Sequence, residues 1–499
     1  SFATPIERNA DCLREISLNR RLAPDVYLGV APLRQGAAGA WEIGPVAEAL
    51  ETSTADSAPH EHVVVMKRLS ETNNALHRLR NDVLGPEHVD AVAEMLARFH
   101  ASVGLGTPAP FSAEQWLARH DDVVADTFRV ARESGCAELD VVRLGECEKG
   151  MRQLFDSHRD DFERRRVVGR AVDGHGDLHL DHVYFVPGAR EPIAIDCIEF
   201  NDELRQLDVA AELAFFAMDL AYRGRADLGE RFLRRYAELC DDFDLYAVVD
   251  WHILHRALVR AAVAGIAAME PEIEPQKRRA AATSANAHLS LVEAQLRRSA
   301  RPALILMCGR VGTGKSTVAE VVADTLNGVV ISSDRTRKQL AGLRSHERAQ
   351  ASIDEGIYTK ERTQAVQHGL LERAEPILRS GRSAVLDATH SRQQWRDLAR
   401  RFAGERDHPA LLIEVQCDDA VALERLARRE RDPQRVSDAG PELFAESRRR
   451  FEAPSEWPRD DHLVVRNDAD GWREALRDDL EPWLKTRIRP RAARRNRPR

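Results

Sequence analysis

One pattern in the sequence is suited to holding a phosphate chain: G-x-x-x-x-G-K-S, over residues 309–316. Its glycines let successive backbone N–H groups turn toward phosphate oxygens, and the start of a helix adds its positive end. Lys315 can reach the β- and γ-phosphates of a nucleotide, and the Ser316 hydroxyl can bind Mg²⁺. The pattern predicts an ATP site in which Lys315 also takes part in catalysis. The expected ATP-binding residues are Gly309, Gly312, Thr313, Gly314, Lys315, Ser316 and Thr317.

Two acidic residues further along the chain could serve phosphoryl transfer. The run SAVLDATH is typical of a buried strand that ends at Asp387, where a carboxylate would help Ser316 hold the metal. Many strands, however, end in an Asp that only caps the next helix. A second strand-like run leads to Asp334, a candidate catalytic residue that would orient or deprotonate an acceptor hydroxyl, and to Arg337, which would bind an anionic group of the substrate. A helix N-cap at Ser333 or Asp334 is the alternative.

An arginine-rich stretch, ALERLARRERDPQRVSDAG, could close over the transferring phosphate. Closure would exclude water, which a kinase needs in order not to hydrolyse ATP. We assign Arg428 to ATP binding and Arg435 to substrate binding on this basis. Most arginines on such a helix only face solvent, and that alternative stays open for each of them.

A second group of candidate residues lies in HGDLHLDHVYF, within residues 175–185, and in IAIDCIEF, residues 193–200. Both segments are typical of strands, and a hairpin would bring Asp177 and Asp196 together. One carboxylate could then receive the proton of an acceptor as a catalytic residue, while the other bound Mg²⁺. Two acidic turn residues of an ordinary hairpin are the alternative.

More than one domain is needed to position these residues. With 499 residues, 43% of them apolar and 31% charged, the chain can fill two to four cores and keep a charged surface. Residues 276–300 are rich in Ala and lack Gly and Pro, which predicts a helix. Because Pro302 then opens an apolar strand-like run, we place a domain boundary near residue 300.

Composition argues against several classes of protein. No run approaches the roughly 18 uncharged apolar residues of a membrane span. The seven cysteines are scattered without a C-x-x-C pair, which suggests neither a disulfide framework nor a zinc site. We expect a cytoplasmic protein without membrane contact.

The net charge is −8, yet residues 485–499 hold eight basic and no acidic residues. The composition of this tail predicts either contact with a polyanion or, more commonly, a solvated disordered end.

Residues 302 to about 480 resemble the P-loop small kinases that phosphorylate a hydroxyl group, which include gluconate and shikimate kinases, zeta toxins and 5′-hydroxyl polynucleotide kinases. The resemblance lies in the phosphate-binding pattern, in the stretch SSD-x-x-RK-x-L and in LDAT. It implies transfer of the γ-phosphoryl group of ATP, with Mg²⁺, to a hydroxyl of a small molecule or a nucleic acid.

Residues 1 to about 295 resemble the aminoglycoside phosphotransferase family, a branch of the protein-kinase-like fold. The resemblance lies in HGDLH, IDCIEFND and LDVAAELAF. It implies that Asp177 is the catalytic base and Asp196 a magnesium ligand. Where the family has Asn, five residues after the catalytic Asp, this chain has His182, which we assign to the metal as well. Lys67 would contact ATP, with an ordinary surface lysine as the alternative.

The same resemblance makes predictions about the elements around that site. It implies that EISLNRRLAPDVYLGVAPL forms strands of a small lobe and that VDAVAEMLARFHA is the first helix of a large lobe. It also implies that Asp208 and Glu212 form a structural acidic pair.

These features predict a multidomain protein, with an N-terminal α+β protein-kinase-like bilobal fold followed by a C-terminal α/β P-loop kinase fold with a parallel sheet. The expected boundaries are 1–88 for the small lobe, 89–298 for the large lobe, 299–484 for the P-loop kinase domain and 485–499 for the basic tail. The expected function is ATP- and Mg²⁺-dependent phosphoryl transfer to a hydroxyl. Three alternatives stay open: an RNA-end or polynucleotide kinase that uses the tail, a nucleotide-responsive regulator with a degenerate N-terminal half, and an aminoglycoside phosphotransferase.

Overall fold

The computed structural model describes residues 4–35, 40–50, 61–297, 301–343, 347, 359–431 and 440–488. The chain divides into two compact units. The N-terminal unit comprises Ser1–Tyr236 and Val248–Leu296, and the C-terminal unit comprises Ala237–Ala247 and Arg297–Arg499.

Helices dominate the N-terminal half, and strands are short there. The elements from the start of the chain to the domain boundary are α1 (Pro5–Asn19), β1 (Tyr27–Gln35), β2 (Trp41–Ile43), β3 (Glu61–Met66), α2 (Ala75–Arg80), α3 (Pro86–Ser102), α4 (Ala113–Glu133), α5 (Val141–Ser157), α6 (Arg159–Val167), β4 (Ala171–Asp173), β5 (Val183–Tyr184), β6 (Ile193–Ala194), α7 (Asp202–Arg205), β7 (Gln206–Asp208), α8 (Val209–Tyr222), α9 (Ala226–Cys240), α10 (Val249–Met269) and α11 (Pro275–Leu296).

The remaining elements alternate between strands and helices. They are β8 (Leu304–Cys308), α12 (Lys315–Leu326), β9 (Val329–Ser332), α13 (Ser333–Leu340), α14 (Lys360–Arg379), β10 (Ala384–Asp387), α15 (Gln393–Glu405), β11 (Ala410–Gln416), α16 (Asp419–Glu430), α17 (Leu443–Arg450), β12 (His462–Arg466) and α18 (Trp472–Arg487).

A five-stranded sheet forms the centre of the C-terminal unit, in the order β12-β11-β8-β10-β9. All four pairings are parallel. The middle strand, LILMC, is buried at every position, as expected when helices cover both faces of a parallel sheet. The predicted parallel sheet is thus confirmed. Because the carboxyl ends of parallel strands meet at one edge, the loops after β8, β9 and β10 can build one site there.

An antiparallel sheet, β2-β1-β3, opens the N-terminal unit. Helix α1 packs against it through Ile16, which contacts an apolar cluster that includes Val26 and Val30. The prediction of strands throughout EISLNRRLAPDVYLGVAPL was wrong for its first part, because Glu15–Asn19 ends α1. Thr4 and Glu7 form a capping box at the start of that helix, a signal that the strand-based expectation ignored.

The predicted strand over residues 193–200 is also shorter than expected. Only β6 pairs with β5, through two residues on each side. Beyond it, backbone N–H groups are bound by side chains: the N–H of Asp196 donates to the Tyr27 hydroxyl at 3.1 Å and that of Cys197 to Asn19 Oδ1 at 2.8 Å. Asp196 therefore lies outside a strand, in a left-handed conformation with φ of 65°.

One helix among the described residues, α10, is long and apolar enough to cross a membrane. Its buried residues include Trp251, Leu254, Leu258 and Ala261. It packs against α4, α8 and α11 of the same unit. Because α10 is a core helix of the N-terminal unit, its packing explains why it is apolar.

A short segment within the predicted large lobe belongs to the C-terminal unit. Residues 237–247 end α9 and continue into a 3-10 helix, Phe243–Ala247, that packs against α14. Asp241 accepts a hydrogen bond from Arg373 Nε at 2.7 Å within this unit.

The last helix, α18, extends to Arg487. The first three residues of the predicted basic tail are therefore helical, and residues 489–499 lie outside the described part.

Candidate active sites of the two units

The phosphate-binding loop of the C-terminal unit connects β8 to α12. Lys315 is the first residue of α12, and its Nζ donates to the carbonyl of Arg310 at 2.8 Å across the loop. Gly314 precedes the helix with φ of 84°, and a Cβ there would lie 2.3 Å from Asn467 Nδ2. Both the left-handed φ and the close approach of Asn467 favour glycine at this position. The strand, loop and helix predicted around the pattern are confirmed.

Asp387 stands beside this loop because β10 pairs directly with β8. Ser316 and Asp387 both line the cavity beside this loop. Burial raises the pKa of Asp387, which the influence of the Ser316 hydroxyl and the charge of Lys315 oppose. Burial likewise lowers the pKa of Lys315, which the negative charges of Asp387 and Asp334 oppose. A hydroxyl and a carboxylate are oxygen donors of the kind Mg²⁺ prefers, so these residues fit that ion.

Asp334 and Arg337 lie on α13, which begins directly after β9. The side chain of Ser332 accepts from the N–H of Arg335 at 3.4 Å and so caps the helix, which leaves the Asp334 carboxylate out of the cap. Arg337 Nη1 lies 3.5 Å from Thr363 Oγ1 on α14. Arg335 pairs with Glu238 at 3.1 Å, within the same unit. Residues three apart on a helix share a face, so Asp334 and Arg337 can address one ligand.

A single cavity of about 780 Å³ brings these residues together. Its lining carries more positive than negative charge, as a polyphosphate site requires. The basic lining residues are Lys315, Arg337, Arg425, Arg428, Arg429, Arg450 and Arg473. The acidic ones are Asp334, Asp387 and Glu446. A cavity of this volume is in the range of small-molecule sites.

The predicted ATP-binding residues do not all face that cavity. Among those expected to bind ATP, the cavity is lined by Gly312, Gly314, Lys315, Ser316, Thr317 and Arg428. Gly309 and Thr313 instead hold the loop in shape: the N–H of Gly309 donates to the Thr389 carbonyl at 3.1 Å, and the Thr313 hydroxyl to the Arg310 carbonyl at 2.9 Å. Arg435, the predicted second substrate residue, lies outside the described residues.

Sequence reasoning missed Asn467, which anchors the arginine-rich helix α16. Arg425 donates to Asn467 Oδ1 at 2.8 Å and lies 3.3 Å from the carbonyl of Thr313 in the phosphate loop. Asn467 directly follows β12, at the same sheet edge as the loop. A polar residue just after a strand is the signal that could have identified it.

The N-terminal unit gathers a second group of polar side chains. Asp177 Oδ2 lies 3.6 Å from His179 Nε2 and 3.7 Å from His182 Nδ1. His182 Nε2 lies 3.1 Å from Asp196 Oδ2. Asp177 and Asp196 were predicted to lie together, and in the structure His182 lies between them and contacts both. Sequence reasoning missed His179, although the spacing of three histidines in HGDLHLDH was a visible signal.

Buried hydrogen bonds fix the backbone that carries this group. The Glu212 carboxylate accepts the N–H of His175 at 2.6 Å and that of Gly176 at 3.0 Å. Asp208 caps α8 and forms a fully buried ion pair with Arg165 at 2.9 Å. Both acidic residues thus make structural contacts. His175 itself is buried, and its Nε2 donates to the Ile195 carbonyl at 2.8 Å, one residue before Asp196.

The charges around Asp177 keep it ionised. Burial opposes ionisation, but the contact with His179 and the positive charges of His179, His182 and Arg256 outweigh burial and lower the pKa of Asp177 to about 2. For His182, burial is outweighed by the carboxylates of Asp196 and Asp177, which raise its pKa. Imidazole nitrogens are poor ligands for Mg²⁺, so this group does not fit that ion.

Lys67 stands apart from these contacts. It follows the end of β3, is exposed, and its backbone N–H donates to the Val26 carbonyl at 2.8 Å. None of the contacts of Asp177 with described residues involves it. Its assignment to ATP stays a prediction.

Comparison with known proteins finds relatives that align with most of this chain. An uncharacterized protein of Mycobacterium tuberculosis H37Rv and one of Mycobacterium bovis are each 34% identical to this chain over 430 residues, an alignment that covers 84% of this chain and 78% of the relative. The chain belongs to the family of these mycobacterial proteins. Because neither unit alone amounts to 84% of the chain, the alignment in this family extends over both units.

In the C-terminal unit of this chain, residues 304–454 match a protein family described as "AAA domain". Together with the loop geometry, this match makes the unit a P-loop nucleotide-binding domain. Solved structures similar to this chain include a gluconokinase from Sinorhizobium meliloti 1021 (19% identity, 38% of this chain and 94% of that one, TM-score 0.27) and the Mycobacterium tuberculosis APS kinase CysC in complex with AMPPNP and APS (20% identity, 36% and 98%, TM-score 0.24).

Proposed function

We propose that the C-terminal unit transfers the γ-phosphoryl group of ATP to a hydroxyl acceptor, a reaction that we assign to the cytoplasm. The observation that carries the proposal is the single cavity in which the phosphate loop, Asp387 and Asp334 face one another. A nucleotide-binding switch needs a phosphate loop and a metal-binding hydroxyl, but it has no need of a carboxylate and an arginine aimed at a second ligand. Asp334 and Arg337 therefore favour a kinase over a switch.

Five side chains of the cavity have a part in the proposed reaction. Backbone N–H groups of the loop and Lys315 bind the β- and γ-phosphates, and Arg428 adds positive charge from α16. Mg²⁺ bound to Ser316 and Asp387 would neutralise charge that develops on the phosphate oxygens. Asp334 accepts a hydrogen bond from the acceptor hydroxyl and aligns its oxygen with the γ-phosphorus. As the new O–P bond forms, the bond from the γ-phosphorus to the β,γ-bridging oxygen breaks, ADP leaves, and Asp334 takes up the proton of the hydroxyl.

The acceptor that fits this cavity carries an anionic group besides its hydroxyl. Arg337 lies one helical turn from Asp334, with its guanidinium near Thr363. Guanidinium groups bind carboxylate, phosphate or sulfate with two parallel hydrogen bonds. A sugar acid or a phosphorylated or sulfated small molecule meets this requirement, and so does the end of an RNA, the acceptor of the alternative RNA-end kinase.

The variant Asp334→Asn tests this assignment. Transfer from γ-labelled ATP is measured with sugars, sugar acids, nucleosides, aminoglycosides and RNA ends as acceptors. The loss of the carboxylate should lower kcat by roughly 10²–10⁴-fold and leave ATP affinity unchanged. Asp324→Asn, which alters an exposed carboxylate on α12, is the matched control. Tight ATP binding without any product in the wild type would instead favour a nucleotide-responsive regulator.

We also propose a phosphotransferase-like role for the N-terminal unit, on the observation that Asp177 and Asp196 both meet His182. Acidic side chains lie on the Asp196 side of this site: burial and the nearby Glu199, Asp196 and Asp11 raise the pKa of Glu15 to about 7. Such surroundings favour a cationic acceptor, as an aminoglycoside would be. If the proposal holds, Asp177→Ala abolishes transfer to an aminoglycoside while Lys315→Ala leaves it in place.

A further inference from the structure

We propose that Asp177, His179 and His182, together with Asp196, bind a borderline divalent transition-metal ion, for which Zn²⁺ is the probe, in preference to Mg²⁺. This site lies in the N-terminal unit and is separate from the Ser316 and Asp387 pair. It is independent of the reaction proposed for the C-terminal unit, because ion binding can be measured without nucleotide.

The distances between the polar atoms match those around one metal ion. Ligand atoms of Asp177, His179 and His182 all lie within 4.8 Å of one another. Two ligand atoms that each lie about 2.1 Å from a tetrahedral metal are roughly 3.4 Å apart. The separations of 3.6 Å between Asp177 and His179 and of 3.1 Å between His182 and Asp196 are close to that value.

The hydrogen bonding of His182 prepares its Nε2 as a ligand. Its Nδ1 lies 2.8 Å from the Asp177 carbonyl, which can only accept, so Nδ1 carries a hydrogen. In the neutral ring, Nε2 then presents a lone pair, and the nearest carboxylate oxygen, of Asp196, is 3.1 Å away. Two lone pairs at this distance require either a proton on Nε2 or a bound cation, and the proposed ion would supply the cation. Histidine ligands commonly donate their other N–H to a backbone carbonyl in this way.

A shared metal also accounts for the closeness of the two rings. The ring centroids of His179 and His182 are 3.9 Å apart. At this distance both rings can turn a nitrogen toward one shared ion. His179 Nδ1 accepts a long hydrogen bond from the N–H of Asp181 at 3.4 Å, so binding of the ion through Nε2 would move the ring hydrogen to Nδ1 at the loss of this contact.

The ligand types decide which ion fits. Two imidazole nitrogens and two carboxylates suit Zn²⁺, Mn²⁺ or Co²⁺, whereas Mg²⁺ requires oxygen ligands. The side chains of His179 and His182 are only 9% and 14% exposed and that of Asp177 is 34% exposed. Asp196, at 70%, leaves one side open for the ion to enter. The competing explanation is a protonated His182 that bridges Asp177 and Asp196 without a metal.

The test is metal binding to the full-length protein after treatment with chelator, without nucleotide. Zn²⁺ is titrated by calorimetry, and Co²⁺ is followed by its visible absorption bands. We expect one ion per chain, with an affinity for Zn²⁺ at least 100-fold above that for Mg²⁺. We also expect His179→Gln and His182→Gln each to weaken binding by about 100-fold or more, since loss of even an outer partner costs 10–100-fold. His182→Asn should shift the preference toward Mg²⁺.

Two controls separate this site from other groups that bind metals. His368→Gln, in an exposed histidine of α14, and Asp387→Asn, in the P-loop site, should both retain the ion. Coordination by any of the seven cysteines would give an intense near-ultraviolet thiolate band with Co²⁺, which should be absent. Should a variant fail to fold, anomalous diffraction from crystals of the wild type grown with Zn²⁺ locates the ion directly. Absence of stoichiometric binding, the thiolate band, or undiminished binding in the folded His179→Gln variant would each overturn the proposal.

Discussion

At the scale of single residues, the position of Arg337 defines which acceptors the C-terminal cavity favours. It lines the same cavity as Asp334 and lies one turn further along α13. An arginine in such a position binds the anionic part of an acceptor, whereas the Asp334 carboxylate binds its hydroxyl. The two side chains therefore contribute to different kinetic constants.

We expect Arg337→Ala to raise the KM for an anionic acceptor by roughly 10- to 100-fold, because a charge-assisted pair contributes about 1.5–3 kcal/mol. The value of kcat should change by only a few-fold. Steady-state kinetics with the acceptor and with its uncharged analogue measure the effect. Arg337→Lys, which keeps the charge but not the two-pronged geometry, is the control and should restore part of the affinity. An equal loss for charged and uncharged acceptors would show that Arg337 acts only through the structure of α13.

At the scale of elements, one buried ion pair joins α6 to the start of α8 in the N-terminal unit. The side chains of Arg165 and Asp208 are both completely buried and lie 2.9 Å apart. Asp208 also caps α8, four residues before Glu212, which binds the backbone of the HGD segment. The pair therefore helps to position Asp177 through α8.

We expect Asp208→Asn to lower the free energy of unfolding by about 3 kcal/mol, because removal of one partner from a buried pair leaves the other poorly compensated. Asparagine still caps a helix, so the change isolates the effect of the charge. Urea unfolding followed by circular dichroism gives the value. Asp126→Asn, which breaks an exposed pair with Arg129 on α4, should cost less than about 1 kcal/mol. Equal effects of the two substitutions would contradict a special role for the buried pair.

The helices and strands also show how much of the structure could be predicted from the sequence. The strand, loop and helix around Lys315 follow from local pattern, because a phosphate loop is built from consecutive residues. The strand expected over residues 193–200 failed because side chains distant in sequence, Tyr27 and Asn19, bind the backbone there. The cap at Ser332 rather than at Ser333 or Asp334 is a difference of one or two residues, within the usual variation of helix ends.

At the scale of the whole molecule, the division into two units is less simple than a single boundary near residue 300. Residues 237–247 pass into the C-terminal unit, where Glu238 pairs with Arg335, the residue after Asp334. Sequence periodicity could not reveal this, because contacts between distant segments leave no local signal. The mycobacterial relatives align over both units.

The measurement that tests the central claim most directly compares transfer from γ-labelled ATP in the wild type, in Lys315→Ala and in Asp177→Ala, with one anionic hydroxyl acceptor. Our account predicts that Lys315→Ala lowers the rate by roughly 100-fold or more, because a fixed positive charge on the transferring phosphate is lost. Asp177→Ala should keep the wild-type rate with that acceptor. Full activity of Lys315→Ala together with loss in Asp177→Ala would contradict the account and assign the chemistry to the N-terminal unit.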